Sequence, residues 1–226
     1  MELQVTETFP TLIGQLQVPD ADAMNRDLQL LILSEESKQA TWGRSNIGGW
    51  HSAPDLLTRQ EPAVAGFTSW LRWAVSRMVA ASTGRSAAKG TALLSAWATI
   101  CRSGAYHAPH SHPDSAWSGV YYVNAGTTEM QWPLSGVLEF LDPRAGAEAV
   151  TAPGDPYGDP VRVYPREGLL VIFPSWLYHW THPYVGNTPR IAISFNAALK
   201  EVSQPTLTTP SNGINVLEAP TSELRH

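Results

Sequence analysis

Two histidines separated by one residue, His110 and His112, are the strongest chemical signal in this sequence. They lie in the segment GAYHAPHSHPDSAWSGVYYV, directly before a predicted strand. Residues i and i+2 of an extended chain project to the same face, so both imidazoles can point into one cavity. A third candidate, His179, follows an apolar run in the segment LLVIFPSWLYHWTHPY. Three such ligands leave half of an octahedral shell open, as in non-heme Fe(II) sites that bind substrate and oxygen together.

Spacing alone leaves the ligand set open. His107 and His182 are equally placed to bind a metal, and Asp114 forms an HxD pair with His112 that competes with the HxH pair. A histidine near a strand is also often only a hydrogen-bonded polar residue. From the residues by themselves, a structural role for this cluster therefore remains an alternative to metal binding.

The composition restricts the class of protein. The chain has 226 residues, of which 43% are apolar and 15% charged, so it can bury a core and is expected to form one domain. Its net charge is -5 and only three of its cations are lysines, so we expect no nucleic-acid partner. A lone cysteine, Cys101, indicates a reducing compartment, and we expect a cytoplasmic protein. The absence of a secretion signal and of a long apolar run predicts no membrane insertion.

Two helices are predicted to come before a β-rich body. The first spans Asp20 to Gln39, with Asp20 as its N-cap, and the second spans Glu61 to Ala81. Between them, the Gly-rich segment Ser45 to Leu56 is predicted to be a loop. Six short β-type runs follow, which favour a sandwich, jelly roll or barrel. They are Ala92 to Cys101, Trp117 to Asn124, Gly136 to Leu141, Val161 to Tyr164, Leu169 to Phe173 and Arg190 to Asn196.

Several ordered motifs resemble those of the 2-oxoglutarate/Fe(II) dioxygenase superfamily, and in particular an uncharacterised bacterial and phage branch of it. The resemblance covers about residues 42 to 197, and the motifs that carry it are GAYHAPHSH, SGVYYV, SGVLEFLDPR and GLLVIFPSWLYHWTHPYVGNTPRIAISFN. It implies a mainly β, α+β fold whose core is a double-stranded β-helix, or jelly roll, flanked by N-terminal helices. It also implies Fe(II) and 2-oxoglutarate as cofactors and O2 as co-substrate.

The resemblance implies a division of the single domain, 1–226, into three parts. Residues 1–91 would be a helical N-terminal support, 92–197 the jelly-roll catalytic core and 198–226 a C-terminal tail. The long loop from Asp142 to Asp159 lies within the predicted core and is of a length often found in lids or connectors.

The resemblance also orders the metal ligands. Related prolyl hydroxylases carry a His, one spacer and an Asp in the first motif, and here His110 and His112 occupy those places. Their distal histidine precedes a proline by four residues, as His179 does, which favours it over His182. The implied set is His110, His112 and His179, with Asp114 as a reserve ligand.

A second group of residues is implied for 2-oxoglutarate. Arg190 follows the distal histidine at the distance of the basic residue that holds the far carboxylate, and its fork suits a carboxylate better than lysine does. Tyr122 corresponds to a tyrosine that donates to the same carboxylate. Ser194 lies four residues after Arg190, on the same face of a strand, and completes the expected pocket.

The resulting hypothesis is an enzyme that hydroxylates a C–H bond of a small molecule, an amino acid or a peptide side chain and releases succinate and CO2. Trp50, His51 and Tyr106 are candidate substrate contacts. A homodimer is a further expectation, since jelly-roll enzymes often pair. The alternatives are a three-His cupin-type dioxygenase that works without 2-oxoglutarate and a non-catalytic jelly-roll binding protein.

Overall fold

Thirteen helices and strands form the described part of the chain. The computed structural model describes residues 3–4, 8–42, 45–84, 91–127, 130–149 and 159–200. The elements are β1 (Gly14–Gln17), α1 (Asp22–Glu36), β2 (Asn46–Ile47), β3 (Trp50–His51), α2 (Pro62–Thr83), β4 (Thr91–Cys101), β5 (Tyr106–His110), β6 (Trp117–Asn124), β7 (Leu138–Phe140), β8 (Val161–Val163), β9 (Leu169–Pro174), β10 (His179–Thr181) and β11 (Arg190–Lys200).

The strands form two antiparallel sheets. The major sheet has the order β1-β9-β6-β11-β4-β3, and the minor sheet has the order β2-β5-β10-β7-β8. Except for the pairs β3–β4 and β7–β8, neighbouring strands are not consecutive in the chain, as expected when the chain alternates between two facing sheets. The predicted α+β, mainly β class with a double-stranded β-helix core is confirmed.

All six predicted strands are present, within a few residues at their ends. Five short strands were not predicted: β1, β2, β3, β5 and β10. Three of them lie within residues 1–91, so the predicted helical support also contributes strands to both sheets. Strand β11 continues to Lys200, into the predicted tail, whereas residues 201–226 and the centre of the 142–159 loop lie outside the described residues.

Residues alternate strictly between two environments along the central strand β11. Ile191, Ile193 and Phe195 are buried in the core that the helices cover, whereas Arg190 and Ala192 face the space between the sheets. The paired strands β4 and β6 follow the same rule, because successive side chains of a strand point to opposite faces. The alternation therefore assigns one face of the major sheet to packing and the other to a cavity.

The helices pack on the outer face of the major sheet. The predicted stripe of α1 is buried at Met24, Leu28 and Ile32, and α2 buries a longer stripe beside it. The Tyr121 hydroxyl of β6 donates a hydrogen bond to Asn25 Oδ1 of α1 at 2.6 Å, which fixes the position of that helix on the sheet. The predicted N-cap is wrong, because Asp20 lies in a turn at φ 49° and the helix begins after Ala21 without a side-chain cap.

A second, smaller core lies between the two sheets at one end of the cavity. Its largest members come from both sheets, and they are Tyr122, Leu138, Phe140, Leu169, Val171, Phe173 and Leu177. In the described part of the chain, neither helix is long and apolar enough to cross a bilayer.

Two glycines give a matched test of this packing. A Cβ at Gly119 on β6 would overlap the Val171 carbonyl oxygen and the Phe195 ring, whereas a Cβ at Gly66 on α2 would meet only Met24 Sδ, at 3.4 Å. We expect Gly119→Ala to lower the free energy of unfolding by about 1–3 kcal/mol, because a backbone atom cannot rotate away. Gly66→Ala is expected to raise it by about 0.5–1 kcal/mol, because alanine favours helix. Urea unfolding of both variants measures this, and a similar effect of the two would contradict the described packing.

Candidate metal centre

Three histidines converge at one end of the cavity. The ligand nitrogens of His110, His112 and His179 lie within 4.8 Å of one another, and Nε2 of His112 is 3.3 Å from Nε2 of His179. Two imidazole nitrogens that bind one ion at about 2.1 Å and about 90° lie about 3 Å apart, so this spacing fits a shared metal ion. Among the described residues, these three form the cluster that could hold a metal.

Strand pairing brings two of these histidines together. Strand β10 pairs with β5 in the register that places His179 opposite His110, and a bulge follows in the next residues. His112 lies beyond the end of β5, where its backbone N–H donates to the Ser175 carbonyl at 2.8 Å. The hydroxyl of Ser175 in turn donates to the Ser115 carbonyl, so the turn before β10 holds the loop that carries His112.

Backbone hydrogen bonds set the tautomers of two ligands. Nδ1 of His110 lies 2.7 Å from the Ala108 carbonyl, and Nδ1 of His179 lies 2.9 Å from the Leu177 carbonyl. A carbonyl only accepts, so each Nδ1 carries the proton and each Nε2 keeps a free lone pair. Such a bond to the second ring nitrogen is typical of metal-binding histidine.

Burial keeps the cluster neutral. It lowers the pKa of His179 to about 3 and that of His112 to about 4, and it also lowers the pKa of His110 below its ordinary value. Neighbouring His110 adds to the effect on the other two rings. All three imidazoles are therefore unprotonated at neutral pH, as metal binding requires.

The reserve ligand lies elsewhere. Asp114 is exposed in the loop after His112, with a backbone φ of 64°, and it belongs neither to the cluster nor to the cavity wall. Its left-handed conformation is one that aspartate tolerates in a turn. In the structure, His112 and not Asp114 lies beside His110 and His179.

The cavity has a volume of about 550 Å³, and one of the described residues that line it is an arginine. Arg190 is 2% exposed, its guanidinium lies 5.0 Å from the centre of the Tyr122 ring, and its Nη1 is 3.9 Å from Cys101 Sγ. Among the described residues, neither Arg190 Nε nor the Tyr122 hydroxyl has a hydrogen-bond partner, although both atoms are buried. A buried donor without a partner is energetically unfavourable, so both groups are available to bind an acceptor that enters the cavity.

The third residue expected beside this pair also faces the cavity. Ser194 pairs with Val120 on β6 and with Trp97 on β4, and all three side chains line the wall. Burial raises the pKa of Tyr122, against the opposing effect of Arg190, so its phenol is a proton donor at neutral pH.

The three candidate substrate contacts have different surroundings. His51 lines the cavity, and its Nδ1 lies 2.6 Å from the Ser52 carbonyl. Trp50 is buried in the helix-covered core, and its indole donates to the Gln39 carbonyl at 3.0 Å, so it does not reach the cavity. Tyr106 lies on β5 and pairs with Ile47, and it is likewise not part of the wall.

Sequence reasoning missed Trp97 and Thr99 of the cavity wall, whereas His107, which spacing had left as a candidate ligand, also lies in that wall. Trp97 and Thr99 lie on the inner face of β4, and His107 lies on β5 near Arg190, whose charge adds to the effect of burial in lowering the pKa of His107 to about 3. The sequence signal for Trp97 and Thr99 was strand alternation, because they lie four and two residues before Cys101 and therefore share its face of β4. The wall also includes the exposed Trp42 at the start of the Gly-rich loop.

His182 belongs to a separate cluster on the outer face of the minor sheet. The buried Glu139 carboxylate accepts hydrogen bonds from Arg162 Nε at 2.7 Å, His182 Nε2 at 3.0 Å and Trp180 Nε1 at 3.0 Å. These contacts link β8 and β10 to β7. They hold the short strand that begins at His179, so His182 supports the site without facing it.

Comparisons with known proteins agree with this geometry. Residues 95–196 match the family model described as "Putative 2OG-Fe(II) oxygenase". A prolyl-4-hydroxylase from Pseudomonas putida has a similar structure, with a TM-score of 0.56 and 16% identity over 82% of this chain and 91% of that chain. A Trichoplax adhaerens prolyl hydroxylase, solved with a hypoxia inducible factor peptide, has a TM-score of 0.56 and 15% identity over 82% of this chain and 83% of that chain. No curated protein matches in sequence.

A further similar structure is the non-heme, α-ketoglutarate-dependent epimerase SnoN from nogalamycin biosynthesis, with a TM-score of 0.57 and 15% identity over 92% of this chain and 86% of that chain. At such identities the structures show a shared fold. Residues 95–196 also resemble the family model of 2-oxoglutarate/Fe(II) oxygenases. The cofactors of that family are Fe(II) and 2-oxoglutarate, and the resemblance seen in the sequence motifs is confirmed.

The Glu139 cluster predicts a pH-dependent contribution to stability. Burial alone would raise the pKa of Glu139, but its bonds from Arg162, His182 and Trp180 outweigh burial and hold the pKa below the ordinary 4.5. The stabilisation is therefore complete above about pH 5 and is lost as the pH falls through the lowered pKa. We expect Glu139→Gln to cost about 1.5–3 kcal/mol at pH 7, and the difference from wild type to shrink below about pH 4.5.

Urea unfolding at several pH values measures this difference. Glu36→Gln is the matched control, because Glu36 pairs with the exposed Arg102 and such a surface pair contributes less than about 1 kcal/mol. Equal effects of the two substitutions, or an effect of Glu139→Gln that persists unchanged in acid, would contradict the role of the buried cluster.

Proposed function

We propose that this protein is a 2-oxoglutarate-dependent oxygenase in which His110, His112 and His179 bind Fe(II), and Arg190, Tyr122 and Ser194 bind 2-oxoglutarate. The observation that carries the proposal is the combination of three convergent neutral imidazoles with two buried donors that lack partners in one cavity. The donor set fits the metal, and the unpartnered donors fit the far carboxylate of the co-substrate.

The bound iron and 2-oxoglutarate would supply oxidising power from O2, with loss of CO2 and formation of succinate, to attack a C–H bond of the substrate. The protein would position the metal and the co-substrate. Neutral His110 and His179 present Nε2 because their Nδ1 protons are held by backbone carbonyls. Nε2 of His112, 3.3 Å from that of His179, completes the set.

Arg190 and Tyr122 would fix the other end of the co-substrate. Arg190 is held in place by its position on β11 and by the face of the Tyr122 ring, so its guanidinium is already oriented before binding. Its Nε and the Tyr122 hydroxyl would donate to one carboxylate, and burial makes such charge-assisted bonds strong. Val120, Leu138 and Phe173 form apolar wall beside this pair and would exclude water.

The charge of the cavity supports a neutral or anionic substrate. None of the described residues of the wall is an aspartate or glutamate, and Arg190 carries the one full charge among them. Iron(II), dianionic 2-oxoglutarate, Arg190 and three neutral imidazoles together leave one net positive charge. A cationic group brought into this space would be repelled and would find no carboxylate partner. The substrate is then a neutral or acidic small molecule, or an uncharged peptide side chain, as the peptide complex of one similar structure suggests.

Arginine replacement tests the co-substrate role. We expect Arg190→Ala to weaken 2-oxoglutarate binding by about 100-fold, or about 3 kcal/mol, because the charge-assisted hydrogen bond from Nε and the attraction of the guanidinium charge are both lost. Arg190→Lys should recover only part of the affinity. Succinate formation with Fe(II) at increasing 2-oxoglutarate measures this, with Arg102→Ala as the control at an exposed ion pair.

The outcome also separates the alternatives. Succinate formation that is unaffected by loss of Arg190 would contradict the proposed pocket. Oxygen consumption that depends on His179 but not on added 2-oxoglutarate would instead support a three-His dioxygenase acting directly on its substrate.

Substrate charge is tested with matched pairs of compounds. For a given amino acid, the N-acetyl derivative is an anion and the C-terminal amide is a cation of similar size. We expect anionic or neutral candidates to stimulate succinate release and their amine counterparts to have at least about ten times less effect, about 1.4 kcal/mol. Preferential stimulation by the amines would contradict the charge argument while leaving the co-substrate pocket intact.

A further inference from the structure

His112 differs from the other two members of the histidine cluster in how its ring is held. Nδ1 of His110 and of His179 each donate to a backbone carbonyl, but among the described residues Nδ1 of His112 has no hydrogen-bond partner. Its backbone is anchored by the bond to Ser175, which does not restrict rotation of the side chain. Another contact must therefore orient this imidazole.

Aromatic rings provide that contact. The imidazole of His112 stacks on the Trp97 ring, with centroids 5.7 Å apart and planes at 26°, and on the His179 ring, with centroids 5.2 Å apart and planes at 4°. His51 stacks on Trp97 as well, at 5.5 Å and 15°. The stacked series runs from the β3 edge of the major sheet to a histidine of the minor sheet. Offset stacking restricts both the position and the tilt of a ring.

Trp97 is itself fixed by the sheet. It lies opposite Ser194 of β11 in the middle of the major sheet. The next strand is held to β4 by two bonds, because the Ser52 hydroxyl accepts from the Ala98 N–H at 3.0 Å and the Ser52 N–H donates to the Ala98 carbonyl at 2.9 Å. His51 is held by its bond to the Ser52 carbonyl. Trp97 and His51 thus form a rigid surface against which His112 rests.

We propose that Trp97, supported by His51, is the positioning residue for His112, and that stacking replaces the hydrogen bond that orients the other two histidines. The inference rests on the proposed function, because it requires His112 to bind the metal. It also assigns a use to Trp97, a large side chain of the cavity wall that the co-substrate pocket does not employ.

The test measures Co(II) affinity of the purified full chain without a His tag, by calorimetry and by the visible spectrum of the bound ion. Loss of a group that orients a metal ligand typically weakens binding about 10–100-fold, and we expect Trp97→Leu to fall in this range. Its Co(II) spectrum should shift toward that of His112→Ala. Trp97→Phe retains a ring and should stay within about threefold of wild type.

Trp73→Leu is the matched control, because Trp73 is a half-buried tryptophan on α2 that meets Trp70 edge-on, outside the cavity wall. It should bind Co(II) as wild type does. A double-mutant cycle then shows whether the effect of Trp97 on Co(II) affinity requires His112. If Trp97 acts through His112, Trp97→Leu should cause no further loss in a His112→Ala background.

Each result has one meaning. Wild-type chain that binds no Co(II), or whose binding is unaffected by His110→Ala and His179→Ala, would contradict the proposed metal site itself. Metal binding that depends on these histidines but is the same in Trp97→Leu and Trp73→Leu would overturn the role of Trp97 alone. The same follows if Trp97→Leu weakens binding equally with and without His112. If Trp97→Leu does not fold, His51→Ala carries the comparison, because it removes the ring that supports Trp97 and is expected to weaken Co(II) binding in the same direction.

Discussion

The pairing of β5 with β10 is the constraint on which the site depends. It places His110 opposite His179 across two strands that are widely separated in the chain. Side chains of a strand alternate between faces, so a slip of one residue would turn His179 away from the cavity and bring Trp180 into it. A three-residue strand cannot fix its own register. The buried Glu139 carboxylate on the neighbouring strand supplies the missing constraint, because it binds Trp180 of β10 and His182, the residue directly after β10.

The same alternation explains how one sheet serves two purposes. On β11, apolar residues face the helices, and the positions between them carry Arg190, Ser194 and Asn196 toward the cavity. Burying an arginine without a carboxylate is unfavourable for folding, because its charge leaves water and Nε gains no partner. The helix-covered core on the opposite face supplies the hydrophobic stabilisation that offsets this cost. The residues whose burial destabilises the fold are therefore those that would bind a dianionic ligand.

The sequence predicted the histidine cluster better than the strands that hold it, whereas β6 and β11, which carry Tyr122 and Arg190, were predicted as well. Histidine spacing and the order of motifs can be read directly from the sequence, and so can the long apolar runs that form β9 and β11. The two strands that carry the histidines are short and depend on partners distant in sequence. Trp50 was predicted as a substrate contact because a tryptophan in a Gly-rich loop looks exposed, whereas pairing with β4 turns it into the core. Trp97 was missed for the converse reason, since nothing in the sequence distinguishes a tryptophan that packs in the core from one that lies beside Ser194 and His112.

Replacing a carboxylate ligand by His112 changes what must hold the site together. A carboxylate would attract the metal through its charge from any nearby position, whereas a neutral imidazole binds only when its lone pair is aimed at the ion. Orientation therefore matters more for His112 than it would for an aspartate, and the loop that carries it provides backbone anchoring alone. The surplus positive charge is not neutralised by a protein ligand either, since the exposed Asp114 lies outside the cavity wall. The proposed selection of a neutral or anionic substrate and the proposed reliance on ring stacking would thus have one physical origin, the loss of a negative charge from the ligand set.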